Sequence, residues 1–495
     1  MIKKIISLVA CGCLFVGCSL NERDFALVEE GVVTEVNLGF GVSNSPVYTR
    51  AAQSSEDEFY VENIYILVFD NNSNYQRVPT TDDSGDNLAF FTSGSITVTQ
   101  GSSDKPTEGS VSFNVPVTNS ATVVALANIG IEDTRYAVTK DELDAVNSLD
   151  DLKDLVVGVT RTVSRGDRFM MSGYGENSQG SRIITISSNA SGEKLDCTVK
   201  LKRLDAKVEV NITSEVPQGK NWTALSFQPK TWQVVNVPAQ SRLLPYEKAG
   251  IEGPWVDQDE NTKSQWDAST GPDGAVPVYY PTQEYGFEVE DTYEYDNTMY
   301  YKGGSFVFYM PENRKLYKAS APAYQDRDEQ EGGVPTYAND NSTYMVLTGY
   351  ISYIDNDNDA QVINAEVRYI IYLGFASGNI NDYDTEQNGY YKYTLTVKGI
   401  TDIEAEVDDG NERRPGYEGD VVKSKQIFNV DAHYETRLLE IPVDSDFQNM
   451  TWGVRTPFSS GVYDGSVDYT GIKDYQWIKF AINRHFGTRH GVFVK

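Results

Sequence analysis

Cysteine is scarce and badly placed for a disulfide: Cys11, Cys13 and Cys18 crowd the start of the chain, and Cys197 stands alone. Processing at Cys18 would leave Cys197 as the one remaining thiol, so no disulfide framework is available. Cys197 sits in Leu195-Asp196-Cys197-Thr198-Val199-Lys200-Leu201, an alternating pattern that reads as a strand with a small buried hydrophobe and not as a reactive thiol. Histidine is rarer still. His433, His485 and His490 all lie in the C-terminal tail. Asp431 and His433 would share one face of a strand, but no Ser, Cys or third metal ligand is placed beside them. No Gly-rich phosphate loop, HExxH or GxSxG occurs. The expectation is a protein without catalytic residues, metal centre or cofactor. Positive charge is short as well: 42 basic against 72 acidic residues give a formal charge of −30, which argues against nucleic acid as a partner and against a polybasic membrane patch. No apolar run reaches the roughly 20 residues that span a bilayer, and no repeat with a period of about 20 to 50 residues is visible.

What is present begins with an export signal. Lys3 and Lys4 form a positive start, and residues 5–16 form an apolar run of h-region length. Leu14-Phe15-Val16-Gly17-Cys18 follows the pattern of a bacterial lipoprotein box, in which a small residue precedes the cysteine that becomes the acylated N-terminus. Leu8-Val9-Ala10-Cys11 fits that pattern even better but would leave only six residues of apolar core, so Cys18 is the expected lipidation site. In residues 32–40, Val32, Thr34, Val36, Leu38 and Phe40 fall on one face of a strand. Val47-Tyr48-Thr49-Arg50 then precedes Ala51-Ala52.

Beyond the leader, Tyr, Thr and Val recur in short runs separated by Gly, Asn, Asp and Ser, which predicts a mainly β protein. Residues 62–70 include Ile64-Tyr65-Ile66-Leu67-Val68-Phe69, apolar throughout, as in a strand covered on both faces. Residues 111–117 and 121–127 read as a hairpin. One helical stretch is expected over 139–157, where Thr139 and Glu142 have capping-box spacing and Ser148 can cap a second turn. The expected organisation is a signal peptide at 1–18, a propeptide at 19–50, β domains at 51–216 and 217–403, a charged Gly- and Pro-bearing linker at 404–420, and a small β-rich extension at 421–495.

Several segments, in order, resemble the fimbrillin family, the pilus subunits of Bacteroidales. They are Glu62-Asn63-Ile64-Tyr65-Ile66-Leu67-Val68-Phe69-Asp70, Val123-Val124-Ala125-Leu126-Ala127-Asn128, and Leu201-Lys202-Arg203-Leu204-Asp205-Ala206-Lys207-Val208-Glu209-Val210. Further along stand Phe308-Tyr309-Met310-Pro311-Glu312-Asn313 and Tyr390-Tyr391-Lys392-Tyr393-Thr394-Leu395-Thr396-Val397-Lys398-Gly399-Ile400. The resemblance implies two tandem transthyretin-like β-sandwich domains, exported as a lipoprotein to the outer membrane and matured at the cell surface. It also implies an arginine-specific protease that removes the first strand, after which a strand of the next pilus subunit fills the vacated groove. On that reading Arg50 is the residue before the scissile bond, Ala51 the new N-terminus, and cell adhesion the role. The bland reading of Arg50 is a loop arginine.

Two other features invite chemistry. Asp355-Asn356-Asp357-Asn358-Asp359 with Glu366 reproduces oxygen positions of an EF-hand-type calcium loop. Ala360 stands where that loop needs Gly, and the flanks are strand-like, so an acidic turn is favoured. Tyr279, Tyr280, Tyr285, Tyr293, Tyr295, Tyr300 and Tyr301 crowd one region. Such rings stack on sugars but are also ordinary strand residues. They support the alternative of a surface glycan-binding β-sandwich lipoprotein. The ending, His485 to Lys495, lacks a long alternating apolar run and makes a poor donor strand, which suits a minor or tip-associated subunit; residues 438–443 remain a possible donor.

Overall fold

The computed structural model describes residues 33–42, 56–81, 89–101, 107–131, 136–160, 168–187, 194–244, 279–287, 289–315, 317–323, 326–331, 333–374 and 380–400. Beyond these it describes strand segments between 403 and 494. Cys18, Val32, Arg50 and Ala51 lie outside the described residues.

The first group of strands begins with β1 (Val33–Val42), β2 (Ile64–Asp70), β3 (Gln76–Val78), β4 (Ala89–Phe91) and β5 (Thr97–Thr99). It continues with β6 (Glu108–Pro116), β7 (Thr118–Ala127) and β8 (Tyr136–Ala137). Two short helices follow, α1 (Lys140–Asp144) and α2 (Leu149–Asp154). Then come β9 (Val156–Val159), β10 (Met171–Glu176), β11 (Ile184–Ile186) and β12 (Lys194–Arg203). A 10-stranded sheet runs in the order β3-β2-β7-β10-β12-β1-β6-β5, with β4 and β11 attached at its side. It curls until strands far apart in that order share one apolar core. Val36, Leu38 and Phe40 of β1 are buried there with Ile64, Ile66 and Val68 of β2 and Val111, Phe113 and Val115 of β6.

The unbroken apolar run of β2 is explained by two covers. Ile64, Ile66 and Val68 enter that core, while Tyr65, Leu67 and Phe69 enter a second one beneath the helices, with Leu143, Leu149 and Leu152. This helical region departs from the single stretch expected over 139–157. Thr139 caps α1 and Ser148 caps α2, each with a capping box closed by Glu142 and Asp151. Ser148 therefore starts a new helix, and α2 gives way to β9 at Val156.

The hairpin expected from residues 111–127 does not form. β6 pairs with β1 and β5, whereas β7 pairs with β2, β10 and β11. Only Val117 separates the two strands, so the chain turns a corner there and crosses from one part of the sheet to another. β1 takes the seat between β6 and β12, and β10, β12 and β1 together stand between β7 and β6 in the sheet.

After Leu204 the chain enters a second group: β13 (Asp205–Ser214), β14 (Trp222–Val235), β16 (Glu284–Tyr285), β17 (Val289–Tyr295) and β18 (Thr298–Pro311), while β15 (Gln240–Arg242), between β14 and β16, returns to pair with β9 of the first group. Then follow β19 (Gln330–Glu331), β20 (Val334–Pro335), β21 (Tyr344–Asp355), β22 (Gln361–Tyr372) and β23 (Tyr390–Val397). The last to join are β24 (Ile403–Val407), β25 (Arg414–Pro415) and β26 (Asp420–Ile427). Two sheets, β17-β18-β13-β23-β24-β25 and β16-β14-β21-β22-β26, face each other. Val208, Phe308 and Leu395 from one bury against Phe227, Leu347 and Val367 from the other, which is a β-sandwich. The expected division at 216 and 217 falls after β13, whereas β13 itself lies in the second group. β24 and β25, inside the expected linker, and β26, at the start of the expected extension, pair onto these same two sheets. The rest of the tail holds β27 (Arg437–Ile441), β28 (Gly453–Val454), β29 (Tyr463–Asp464), β30 (Phe480–Phe486) and β31 (Arg489–Val494). The molecule is mainly β throughout its described length.

Candidate functional site

β1 is an internal strand. It runs parallel to β12, from Asn37 opposite Lys194 to Val42 opposite Leu201, and antiparallel to β6, from Val33 opposite Pro116 to Gly41 opposite Glu108. Alternation sends Thr34, Val36, Leu38, Phe40 and Val42 inward, all 4% exposed or less, and leaves Val33 59% exposed on the other face. The four apolar side chains contribute about 1.5 to 3 kcal/mol each as an upper bound, so an empty seat would expose a groove worth several kcal/mol to any strand that fills it. The groove is shaped. Phe40 stands over Gly109 of β6, where any Cβ would run into its ring and lie 2.7 Å from the Thr97 carbonyl oxygen.

Asn37 to Val42 pair on both sides, apart from a register shift between Asn37 and Gly39, and the Val42 N–H also donates to the Thr107 carbonyl at 2.9 Å. Among the described residues, Val33 to Val36 pair with β6 alone. The Thr34 hydroxyl is buried at this end without a hydrogen-bond partner.

Past the segment that contains Arg50, the chain is pinned again in the short 3-10 turn Glu56–Phe59. Glu58 is 1% exposed and accepts hydrogen bonds from Arg203, from Lys207 Nζ at 2.8 Å and from Tyr309 OH at 2.7 Å. Burial alone would raise its pKa. The charges of Arg203 and Lys207, with the hydrogen bonds from Lys207 and Tyr309, outweigh that and hold the carboxyl below its ordinary range. Arg203 ends β12 and Lys207 lies on β13, so this carboxylate sits where the chain passes from the first group of strands to the second. Asp205 accepts from Tyr136 OH at 3.0 Å at the same junction.

Two asparagines tie down the next residues. Asn63 donates to the Ile129 carbonyl and accepts from the Ile129 N–H, both at 2.8 Å. Asn128, at φ 63, accepts from the Glu62 N–H at 2.8 Å and donates to the carbonyls of Tyr60 and Phe169 at 2.7 Å. The segments quoted for their resemblance thus carry specific duties: two clamp the chain as it enters β2, and a third supplies Arg203 and Lys207. Glu58 and Gly109 were missed from sequence. Glu58 is 145 residues from Arg203, and no local pattern announces a buried carboxylate at that range.

The other candidate residues disperse. Asp355 ends β21, and its two oxygens accept from the Asp357 N–H at 3.1 Å and Asn358 Nδ2 at 2.8 Å. Glu366 lies five residues along β22 from Gln361, roughly 17 Å at strand spacing, and accepts from Lys230 at 2.8 Å. The EF-hand spacing therefore describes an acidic hairpin turn. Among the described residues no three His, Cys, Asp or Glu side chains are grouped to hold a metal ion. Cys197 is buried, and burial, with Asp196 and Glu176 nearby, pushes its thiol up to about 12, an inert group. His433 lies outside the described residues, while His485 and His490 fall on β30 and β31. The tyrosines split as well. Tyr280 and Tyr285 pack against cores, Tyr285 stacking on Trp232, and Tyr279 bridges to Pro238. Tyr293, Tyr295 and Tyr300 contact one another on the β17–β18 hairpin, with Tyr295 exposed.

The structural neighbours of this chain are Bacteroidales fimbrial proteins and candidate cell adhesion proteins. Similar to it are the tip fimbrial protein Mfa3 from Porphyromonas gingivalis with a C-terminal truncation (14% identity, TM-score 0.39, covering 77% of this chain and 99% of that one) and the fimbrial anchor protein Mfa2 from the same organism (9%, 0.30, 78% and 100%). A candidate cell adhesion protein from Parabacteroides distasonis is similar at 15% identity and TM-score 0.44, covering 80% and 98%. A family model described as a domain of unknown function, DUF4906, matches residues 308–395. Comparison with curated proteins finds no sequence match.

Proposed function

We propose that this chain is the precursor of a fimbrial subunit that serves cell adhesion, without catalytic activity, and that β1 is its temporary plug. It is exported as a lipoprotein acylated at Cys18 and held at the outer membrane of the cell surface. An arginine-specific protease cuts between Arg50 and Ala51, β1 leaves, and a strand from another pilus subunit takes the seat between β6 and β12. A place at the tip, or as a minor subunit, belongs to this reading.

The observation that carries this reading is the position of β1. A strand at the N-terminal end of the described chain, followed by an arginine and then by the Glu58 anchor, occupies an internal seat lined by buried apolar side chains. Cutting between the two fixed points frees β1 alone and leaves the rest of the chain pinned. Treatment of the purified chain with an arginine-specific protease, followed by N-terminal mass spectrometry, is expected to give a product beginning at Ala51, and Arg50→Ala to block it. A surface protein that keeps residues 19–50 in its mature form would sink the reading and favour the glycan-binding lipoprotein.

A further inference from the structure

We propose that Gly109 and Phe113 of β6 select the strand that takes the β1 seat and fix the register in which it lies. The incoming strand carries an aromatic side chain opposite Gly109 and, four residues earlier, a small aliphatic one such as Val opposite Phe113. The inference rests on the reading of β1 as a removable plug and adds what the seat demands of its replacement.

The two strands pack large against small. In their antiparallel register Phe40 stands opposite Gly109, Leu38 opposite Val111, Val36 opposite Phe113 and Thr34 opposite Val115. The largest inward side chain of β1 therefore meets a residue with no side chain, and the largest of β6 meets a valine. The ring of Phe40 fills the space that a side chain at 109 would need, and a Cβ there would also lie 2.7 Å from the Thr97 carbonyl oxygen. Opposite Phe113 the space is already taken. Val36 and Phe113 are both fully buried, and the Phe91 ring stands 6.5 Å from that of Phe113.

Apolar alternation alone does not fix the register of a strand in this groove. A slip of one residue turns Glu35 and Asn37 into the core and is rejected by their polarity. A slip of two keeps the apolar face inward and is opposed chiefly by size. In one direction it sets Val42 opposite Gly109, Phe40 opposite Val111 and Leu38 opposite Phe113. In the other it sets Leu38 opposite Gly109 and Thr34 opposite Phe113. Either slip leaves a void over Gly109, and the first also crowds Val111 and Phe113. The Gly109 and Phe113 positions thus distinguish the correct register from its nearest competitors, and a strand with the aromatic in place from one that is merely apolar.

The test uses the full chain cut at Arg50, to which fluorescent peptides spanning residues 31–43 are added and followed by anisotropy. The parent peptide is expected to enter. The peptide with Phe40→Leu is expected to bind about tenfold weaker, through the void it leaves over Gly109. A peptide carrying V36F and F40V together keeps the same composition and the same apolar alternation. It is expected to bind about a hundredfold weaker or more, because void and crowding then coincide. A groove that reads only apolar area would hold the swapped peptide as tightly as the parent, so equal affinities overturn the inference while leaving exchange itself standing. In a second arm the receiving chain carries Gly109→Ala. The parent peptide is expected to lose more affinity there than the F40L peptide does, and equal losses overturn the inference as well. Failure of every peptide to enter the unaltered chain overturns the plug reading and this inference with it.

Discussion

At the scale of single residues, Glu58 is the most consequential side chain outside the groove. Its folded pKa is held low, so the stability it contributes is present above the ordinary carboxylate value of 4.5 and is lost as pH falls through the lower folded value. Glu58→Gln leaves Arg203 and Lys207 buried without their carboxylate and is expected to cost about 3 to 5 kcal/mol in denaturant unfolding at pH 7. The same variant is expected to lose part of the acid-induced fall in stability below about pH 4.5, because the group that titrates there is gone. A pH–stability curve parallel to that of the parent would contradict the assignment. Little of this was readable in advance. Arg203 and Lys207 were visible as charges in an alternating strand, but their partner lies in a short turn with no periodicity of its own, and a pairing over 145 residues is fixed by the topology alone.

At the scale of elements, legibility followed local signals. Strand β1 was readable because one face alternates cleanly, and the capping boxes at Thr139 and Ser148 because their hydrogen bonds span three residues. The β6–β7 hairpin failed because adjacency in sequence suggested pairing while three strands, β10, β12 and β1, came to lie between them. The floor of the groove was equally hidden, since a glycine at 109 acquires meaning only once Phe40 is laid across it. Gly109→Ala is expected to destabilise the uncleaved chain by about 1 to 3 kcal/mol through overpacking. Pairing it with Phe40→Leu should recover part of that loss, because the ring is one of the two obstacles and the Thr97 carbonyl the other. A double-mutant cycle by urea unfolding reads the coupling, and strict additivity would mean that Gly109 does not shape the seat. The β17–β18 hairpin shows an effective local signal: Asp296 and Asn297 both adopt positive φ, as a two-residue turn that follows strand twist requires.

At the scale of the whole molecule, the passage at Leu204 ties the two groups of strands into one body. Glu58 reaches Lys207 and Tyr309 of the second group, Tyr136 reaches Asp205, and Gln387 donates to the Arg242 carbonyl at 2.8 Å. Calorimetry of the full chain is expected to show both groups unfolding in one transition, with Glu58→Gln combined with Tyr136→Phe resolving it into two. Two separate transitions in the parent would show that these contacts do not couple the halves. The internal seat of β1 has one more consequence, and it is mechanical. A segment hydrogen-bonded along both edges and pulled along its own length cannot be peeled one bond at a time; its backbone bonds share the load and must slip together. Whatever strand occupies that seat is gripped in shear, so the joint it makes yields slowly under tension even where its resting affinity is modest.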